Sequence, residues 1–311
     1  MKCLILGGAG FIGSHLAEEL LAAGHQVKIF DRPNLLRPEN LHTDPRIEWF
    51  EGDYLNQDDV AYAMPGVEIL FHLISATLPK SSNENPLYDV ESNIMGTLRV
   101  LDVAKKNHVK RVIFASSGGT VYGIPKTVPI AETHATEPLV SYGISKLAIE
   151  KYLHLYHTLH GMDYCVLRIA NPFGERQRVS TAQGAVAVFL HHALHNQTIH
   201  IWGDGSVTRD YIYIKDVVHA FIKALSYTGE QRVFNIGSGH GLSLNDILAA
   251  IESLLGKPVQ RSYEPSRSFD VPVNVLDITC ARTQLGWQPA GDFQHGLINT
   301  LLWMRQEQHV G

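Results

Sequence analysis

Nowhere in its 311 residues does this chain run to the ~20 consecutive apolar residues that a membrane-spanning helix needs. Its first residues pass into a strand-like run without a charged leader, so the expectation is a soluble, untargeted, cytoplasmic protein with no membrane partner. Cysteine is scarce. Cys3, Cys165 and Cys280 are an odd number at wide spacing, which argues against a disulfide framework. Cys3 and Cys165 lie inside apolar runs, where a reduced thiol packs as a small hydrophobe, as in a reducing compartment. Positive charge is in deficit: 26 Lys and Arg against 31 Asp and Glu leave a net charge of -5, with no basic field for nucleic acid. Anionic ligands must then be met by local sites. No internal repeat, low-complexity tract or linker interrupts the chain.

What is present is a regular alternation. Hydrophobic residues at 45% and charged residues at 18% suffice for a full core shared by two lobes. Short apolar runs at Cys3 to Leu6, Val27 to Phe30, Ile47 to Phe50, Ile69 to Leu73, Arg111 to Ala115 and Cys165 to Ile169 read as strands. Between them, Phe11 to Ala23, Val90 to Lys106 and Ser141 to Leu159 carry apolar residues at three- and four-residue spacing. That rhythm predicts an α/β fold, a Rossmann-like doubly wound parallel sheet with a smaller C-terminal α/β substrate lobe. Residues 1–174 are expected to form the dinucleotide-binding domain, with 212–236 returning to it. Residues 175–211 and 237–311 are expected to form the substrate lobe, with helices at Ala182 to His195, Leu244 to Leu255 and Phe293 to Arg305.

Gly7, Gly10 and Gly13 follow the first strand and open the first helix, where backbone must turn tightly and approach a pyrophosphate unobstructed. No Gly-Lys-Ser/Thr is present, which excludes an ATP-type P-loop. Asp31 ends the second strand, placed to accept both adenosine ribose hydroxyls and repel a 2′-phosphate, so NAD is favoured over NADP although Arg32 follows directly. Asp53 is placed to reach the adenine edge or to cap its own loop. Phe11, Ile12, Tyr54 and Leu73 join the expected cofactor-binding set.

Tyr-x-x-x-Lys occurs three times, at Tyr122 and Lys126, Tyr142 and Lys146, and Tyr211 and Lys215. Gly123 and Pro125 break any helix in the first, and Tyr211-Ile-Tyr-Ile reads as a strand. Only Tyr142 and Lys146 share a helix face. A cation one turn away is expected to lower the phenol's pKa from ~10 and make it a usable base. Ser116 and Ser117 end the fifth strand, at the sheet edge where open α/β sheets place ligands.

Together with Asn93-Ile-Met-Gly-Thr97, Ser116-Ser-Gly-Gly-Thr-Val-Tyr-Gly123, Asn171-Pro-Phe-Gly174 and Gly203-Asp-Gly-Ser-Val-Thr-Arg-Asp210, these motifs make the whole chain resemble the extended short-chain dehydrogenase/reductases. Within them it is similar to the nucleotide-sugar epimerase/dehydratase family. The resemblance implies that Tyr142 is base or acid at a sugar hydroxyl, that Lys146 tunes it and holds the nicotinamide ribose, and that Ser117, rather than Ser116, orients the reacting oxygen. It implies that Asn93 supports the cofactor side, that Asn171 faces the substrate phosphates or sugar, that Arg209 binds the diphosphate, and that Arg267 and Asp270 together hold diphosphate and ribose. Trp202 is expected either to stack on the base or to pack in the core.

The stretch Gly118-Gly119-Thr120-Val121 lacks the carboxylate of the family's dehydratases, and the Tyr142 segment lacks the decarboxylase pattern. The expectation is an NAD-dependent 4-epimerase of UDP-glucose and UDP-galactose or of the N-acetylated pair. Dehydratase, NADP-dependent reductase and silent dinucleotide-sensor readings stand as alternatives. Asn274 resembles a position whose size admits or excludes an N-acetyl group. His191, His192 and His195 read as a solvated helix face rather than a metal site, and no metal is expected. Apolar stripes on Val90 to Lys106 and Ser141 to Leu159 suggest a homodimer, by resemblance through a four-helix bundle.

Overall fold

The computed structural model describes residues 1–179, 184–266 and 271–310. Its first-lobe strands are β1 (Lys2–Leu6), β2 (Gln26–Asp31), β3 (Ile47–Glu51), β4 (Ile69–His72), β5 (Arg111–Ser117) and β6 (Asp163–Ile169). Farther along come β7 (Asn171–Phe173), β8 (Ile199–Trp202), β9 (Thr208–Tyr213), β10 (Val233–Ile236), β11 (Gly241–Ser243), β12 (Arg261–Glu264) and β13 (Val273–Asn274).

Seven strands form one sheet in the order β10-β6-β5-β4-β1-β2-β3, every pair parallel. Helices cover both faces, so the strands read as near-continuous apolar runs. Cys3 and Ile5 enter one core with Phe71, Ile113 and Leu167, while Leu4 and Leu6 enter another with Leu70, Phe114 and Val166. The first core continues into the second lobe through Phe173, Ile212, Leu248 and Trp287, so the lobes are packed as one body there. In that lobe β9 pairs with β7, β11 and β13, and β12 pairs with β8. Ser243 opens the helix Leu244–Leu255 with a capping box to Asp246, which satisfies amides that the helix leaves unpaired.

The chain reverses direction across the sheet at β1, whose neighbours are β2 and β4. Ligands of such sheets bind beyond the strand ends at this switch point. One expected helix differs. The run from Val90 to Lys106 is a π-helix Val90–Met95 followed by the α-helix Gly96–Lys106. The wide turn sets the buried Asp89 and Asn93 toward the same loop, and Gly96 lies where an added Cβ would come 2.6 Å from the Tyr54 ring. The helix after Gly184 spans Ala185–Leu194, and the expected start at Ala182 lies outside the described residues. No helix among the described residues is long and apolar enough to cross a membrane.

Candidate active site

At the switch point Gly7 holds φ +87, and its amide donates to Phe30 O at 2.9 Å. An added Cβ at Gly13 would collide with Gly7 O and with Gly8 Cα, and one at Gly10 would press on Gly7 O at 3.2 Å. The glycines therefore make a cradle that side chains would fill. Gly10 starts the helix Phe11–Ala22 with no side-chain cap and no acid in the first turn, leaving amides and the positive helix end open to an anion. Half-buried Phe11 and Ile12 pack this helix onto the core. Asp31 stands beside the cradle, its carboxylate accepting from Ala9 N at 3.0 Å and Arg32 N at 2.9 Å. Burial pushes its pKa up against these two bonds. An NAD pyrophosphate and adenosine ribose fit this arrangement of bare backbone, helix end and carboxylate.

Asp53 is exposed and its Oδ1 accepts from Leu55 N at 2.9 Å, so its carboxylate caps the loop. Tyr54 is buried, and its hydroxyl finds no partner among the described residues. Leu73 continues past β4, donating its amide to Leu6 O at 3.1 Å. Asn93 is buried, with Oδ1 on Ala76 N at 3.0 Å and Nδ2 on Thr77 Oγ1 and Asp89 Oδ1, both at 2.9 Å. With both amide hydrogens engaged by protein, it supports the site by holding the loop 74–77 instead of donating to a coenzyme.

Tyr142 and Lys146 share the helix Ser141–His160. The Lys146 ammonium is 5.5 Å from the Tyr142 ring centroid and 4.8 Å from that of Phe114, and it donates to Ala115 O at 2.9 Å. Burial brings the lysine from 10.5 down to about 8, opposed by the negative charges of Asp89 and Glu150. The expectation of a depressed phenol is reversed: burial pushes Tyr142 up to about 12, Asp89 pushes the same way, and only a hydrogen bond with Ser75 opposes them. Desolvation of the phenolate outweighs the helical neighbour. Sequence reasoning missed Ser75, whose position after the fourth strand was visible but whose reach to Tyr142 was not.

The two serines separate cleanly. Ser116 is buried and donates to Glu150 Oε1 at 2.5 Å. Glu150 in turn is paired with Arg168 at 2.6 Å, and Arg168 donates to the Tyr122 hydroxyl at 2.9 Å. Ser117 carries no hydrogen bond on its hydroxyl among the described residues, and a Cβ added at Gly119 would meet only that hydroxyl, at 3.9 Å. Ser116 belongs to the packing and Ser117 to open space in the site, so the expected substrate contact from Ser116 is corrected to an internal one.

In the second lobe a cavity is lined by Asn171, Gly184, Trp202, Val207, Arg209 and Tyr211. Asn171 Nδ2 donates to Asp210 O at 2.9 Å, and Arg209 Nη1 donates to Val271 O at 2.6 Å, fixing both at the cavity wall. Asp210 is buried on Ser238, Gly239 and Leu276 amides rather than beside its neighbour's guanidinium. Trp202 is 42% exposed and so is no core residue. Asn274 is buried, donating to Gly118 O at 3.3 Å, with its Oδ1 unpartnered among the described residues. Arg267 and Asp270 lie outside the described residues. His191, His192 and His195 form no metal-holding group of three among the described residues, and His195 Nδ1 sits 2.8 Å from His191 O.

A nicotinamide-dinucleotide cradle, a tyrosine and lysine on one helix and a second-lobe cavity define a class of coenzyme-dependent sugar-nucleotide enzymes. The chain belongs to the NAD-dependent epimerase/dehydratase family, whose model matches residues 3–237. It is 36% identical to the UDP-glucose 4-epimerase of Mycolicibacterium smegmatis over 99% of each chain. The UDP-glucose 4-epimerase of Thermotoga maritima, solved with UDP-glucose, superposes with a TM-score of 0.93 at 35% identity, covering 99% of this chain and 100% of that one. The Thermus thermophilus UDP-glucose 4-epimerase, solved with NAD, gives 0.90 at 32% identity over 98% of this chain and 99% of that one.

Proposed function

We propose that this protein interconverts the C4 epimers of a nucleoside-diphosphate hexose, UDP-glucose and UDP-galactose or their N-acetylated counterparts, with NAD retained. The observation that carries this reading is Tyr142 and Lys146 side by side at the sheet edge, next to the glycine cradle. NAD held by the Gly7–Gly13 loop and Asp31 would supply reversible hydride transfer at C4. Tyr142 takes the proton of the 4′-hydroxyl and later gives it back to the 4-oxygen, a general acid–base role. Ser117 donates to that oxygen and so keeps it in line with the phenol. Lys146, cationic below its pKa of about 8, is charged at neutral pH and favours proton loss from the neighbouring phenol during the transfer.

Turning over a 4-keto sugar requires the nucleotide to be held firmly while the hexose swings. Asn171, Trp202 and Arg209 provide the firm end, the arginine by charge toward diphosphate. Gly119, with open space where a side chain would stand, leaves room at the sugar end. Between Ser117 and Val121 no carboxylate is available to take a carbon-bound proton, which favours epimerisation over dehydration.

A second copy of this chain is the proposed partner. Leu87, Tyr88, Val90 and Met95 are exposed on one helical run, and Ile144, Leu155 and Leu159 on the Tyr142 helix, apolar side chains that a second copy would cover. Free buried thiols at Cys3 and Cys165 suit a cytoplasmic setting. One experiment addresses both points: product analysis against UDP-, GDP- and dTDP-hexoses, with sedimentation of the same sample. Interconverted UDP-hexose without net NADH, from a particle twice the 34.6 kDa chain mass, is expected. A dehydrated or reduced sugar overturns the reaction, and a monomer overturns the partner.

A further inference from the structure

Asp89 is 0% exposed, and its carboxylate lies between the loop after β4 and the start of the Tyr142 helix. It accepts from Thr77 Oγ1 and from Asn93 Nδ2 at 2.9 Å on the loop side. On the helix side it accepts from Ser141 Oγ at 2.8 Å and Ser145 Oγ at 2.6 Å. These residues flank Tyr142 and precede Lys146. Two further bonds run the same way, Tyr142 N to Ser82 Oγ at 3.0 Å and Ser141 N to Asn83 Oδ1 at 2.9 Å. Among the described residues every partner of Asp89 is a hydroxyl or an amide, with no guanidinium or ammonium among them. Glu150, the other buried acid near Lys146, is matched by Arg168 at 2.6 Å.

We propose that Asp89 is a positioning residue: its buried carboxylate ties the loop after β4 to the first turn of the Tyr142 helix and stands beside Tyr142 and Lys146 without a cationic partner among the described residues. This rests on the epimerase reading for the role of Tyr142, but the geometry and the charge stand without it. Buried charges act strongly because little water screens them. The groups facing the pair are Asp89, Glu150 and His72, with Ser75 on the phenol; His72, neutral because burial pushes it to about 3, contributes no charge at neutral pH. Tyr54 also feels Asp89, from the far side of the loop. That leaves Asp89 as the acid with no cationic partner among the described residues, and its negative charge favours the protonated form of both Tyr142 and Lys146.

The sign follows. Removing the negative charge lowers both pKa values, so Asp89→Asn should move the basic limb of the pH profile of kcat/KM, which Lys146 sets, toward acid by roughly one unit. Tyrosinate absorbance attributable to Tyr142, obtained by difference against Tyr142→Phe, should appear at correspondingly lower pH with no substrate present. The Ser141→Ala, Ser145→Ala double variant keeps the carboxylate and loses the tie, so kcat should fall several-fold with the basic limb in place. An unmoved basic limb and an unmoved absorbance titration in folded Asp89→Asn overturn the proposal. Absence of epimerase activity in the parent protein would instead sink the functional reading and leave the absorbance test intact. If Asp89→Asn does not fold, carboxyl-carbon NMR of the parent protein decides: a carboxylate signal for Asp89 at neutral pH supports the proposal, and a carboxylic-acid signal overturns it.

Discussion

Tyr142→Phe should lower kcat by roughly 10³-fold while NAD remains bound, the scale of a lost general acid–base group. The phenol is the hydroxyl poised over the sheet edge, and the change removes one oxygen without altering the ring that packs there. Lys146 keeps its bond to Ala115 O at 2.9 Å and its place 4.8 Å over Phe114, so the coenzyme side stays assembled. Binding should therefore change little, and the loss should fall on kcat more than on KM. The parent's basic limb reports Lys146, whose pKa stands near 8: activity falls as the ammonium beside the phenol loses its proton. Steady-state kinetics with a fluorescence titration of NAD checks both halves. Retention of more than about a tenth of the parent kcat would remove Tyr142 from proton transfer.

Glu150→Gln should cost about 3–5 kcal/mol of stability, the range for removing one partner of a buried ion pair. Glu150 and Arg168 are each 4% exposed, and the variant leaves the guanidinium buried without its counter-charge. Ser116 and the Tyr122–Asn235 bond of 2.6 Å hang on the same network, so the damage spreads along β5 and β6. Replacing both members, Glu150→Leu with Arg168→Met, should recover much of the loss because no charge is then stranded. Urea denaturation of the three proteins measures this. A single variant within about 1 kcal/mol of the parent would mean that water reaches the pair.

The sheet was legible because strands buried on both faces must be apolar throughout, and six such runs stand out between helical patterns. The short strands β7, β11 and β13 were not: two or three residues carry no period, and their pairing with β9 is decided by partners distant in sequence. Tyr142 and Lys146 could be singled out because spacing four puts two side chains on one helix face. What their environment does to them could not. Burial raises the phenol to about 12, and nothing in Tyr-Gly-Ile-Ser-Lys announces it. The choice between Ser116 and Ser117 turned on Glu150, 34 residues away. Asp89 was invisible for a related reason: in Leu-Tyr-Asp-Val-Glu-Ser an acid reads as a solvated helix face, and the π-turn that follows it leaves no sequence period.

The central claim is that hydrogen leaves C4 of the sugar and the same hydrogen comes back. UDP-glucose carrying deuterium at C4 of its glucose, incubated with the NAD-loaded protein in ordinary water, tests it most directly. The account predicts the C4 epimer with deuterium still at C4. Product in which that label has been replaced by solvent hydrogen, or label found at another carbon, would contradict it.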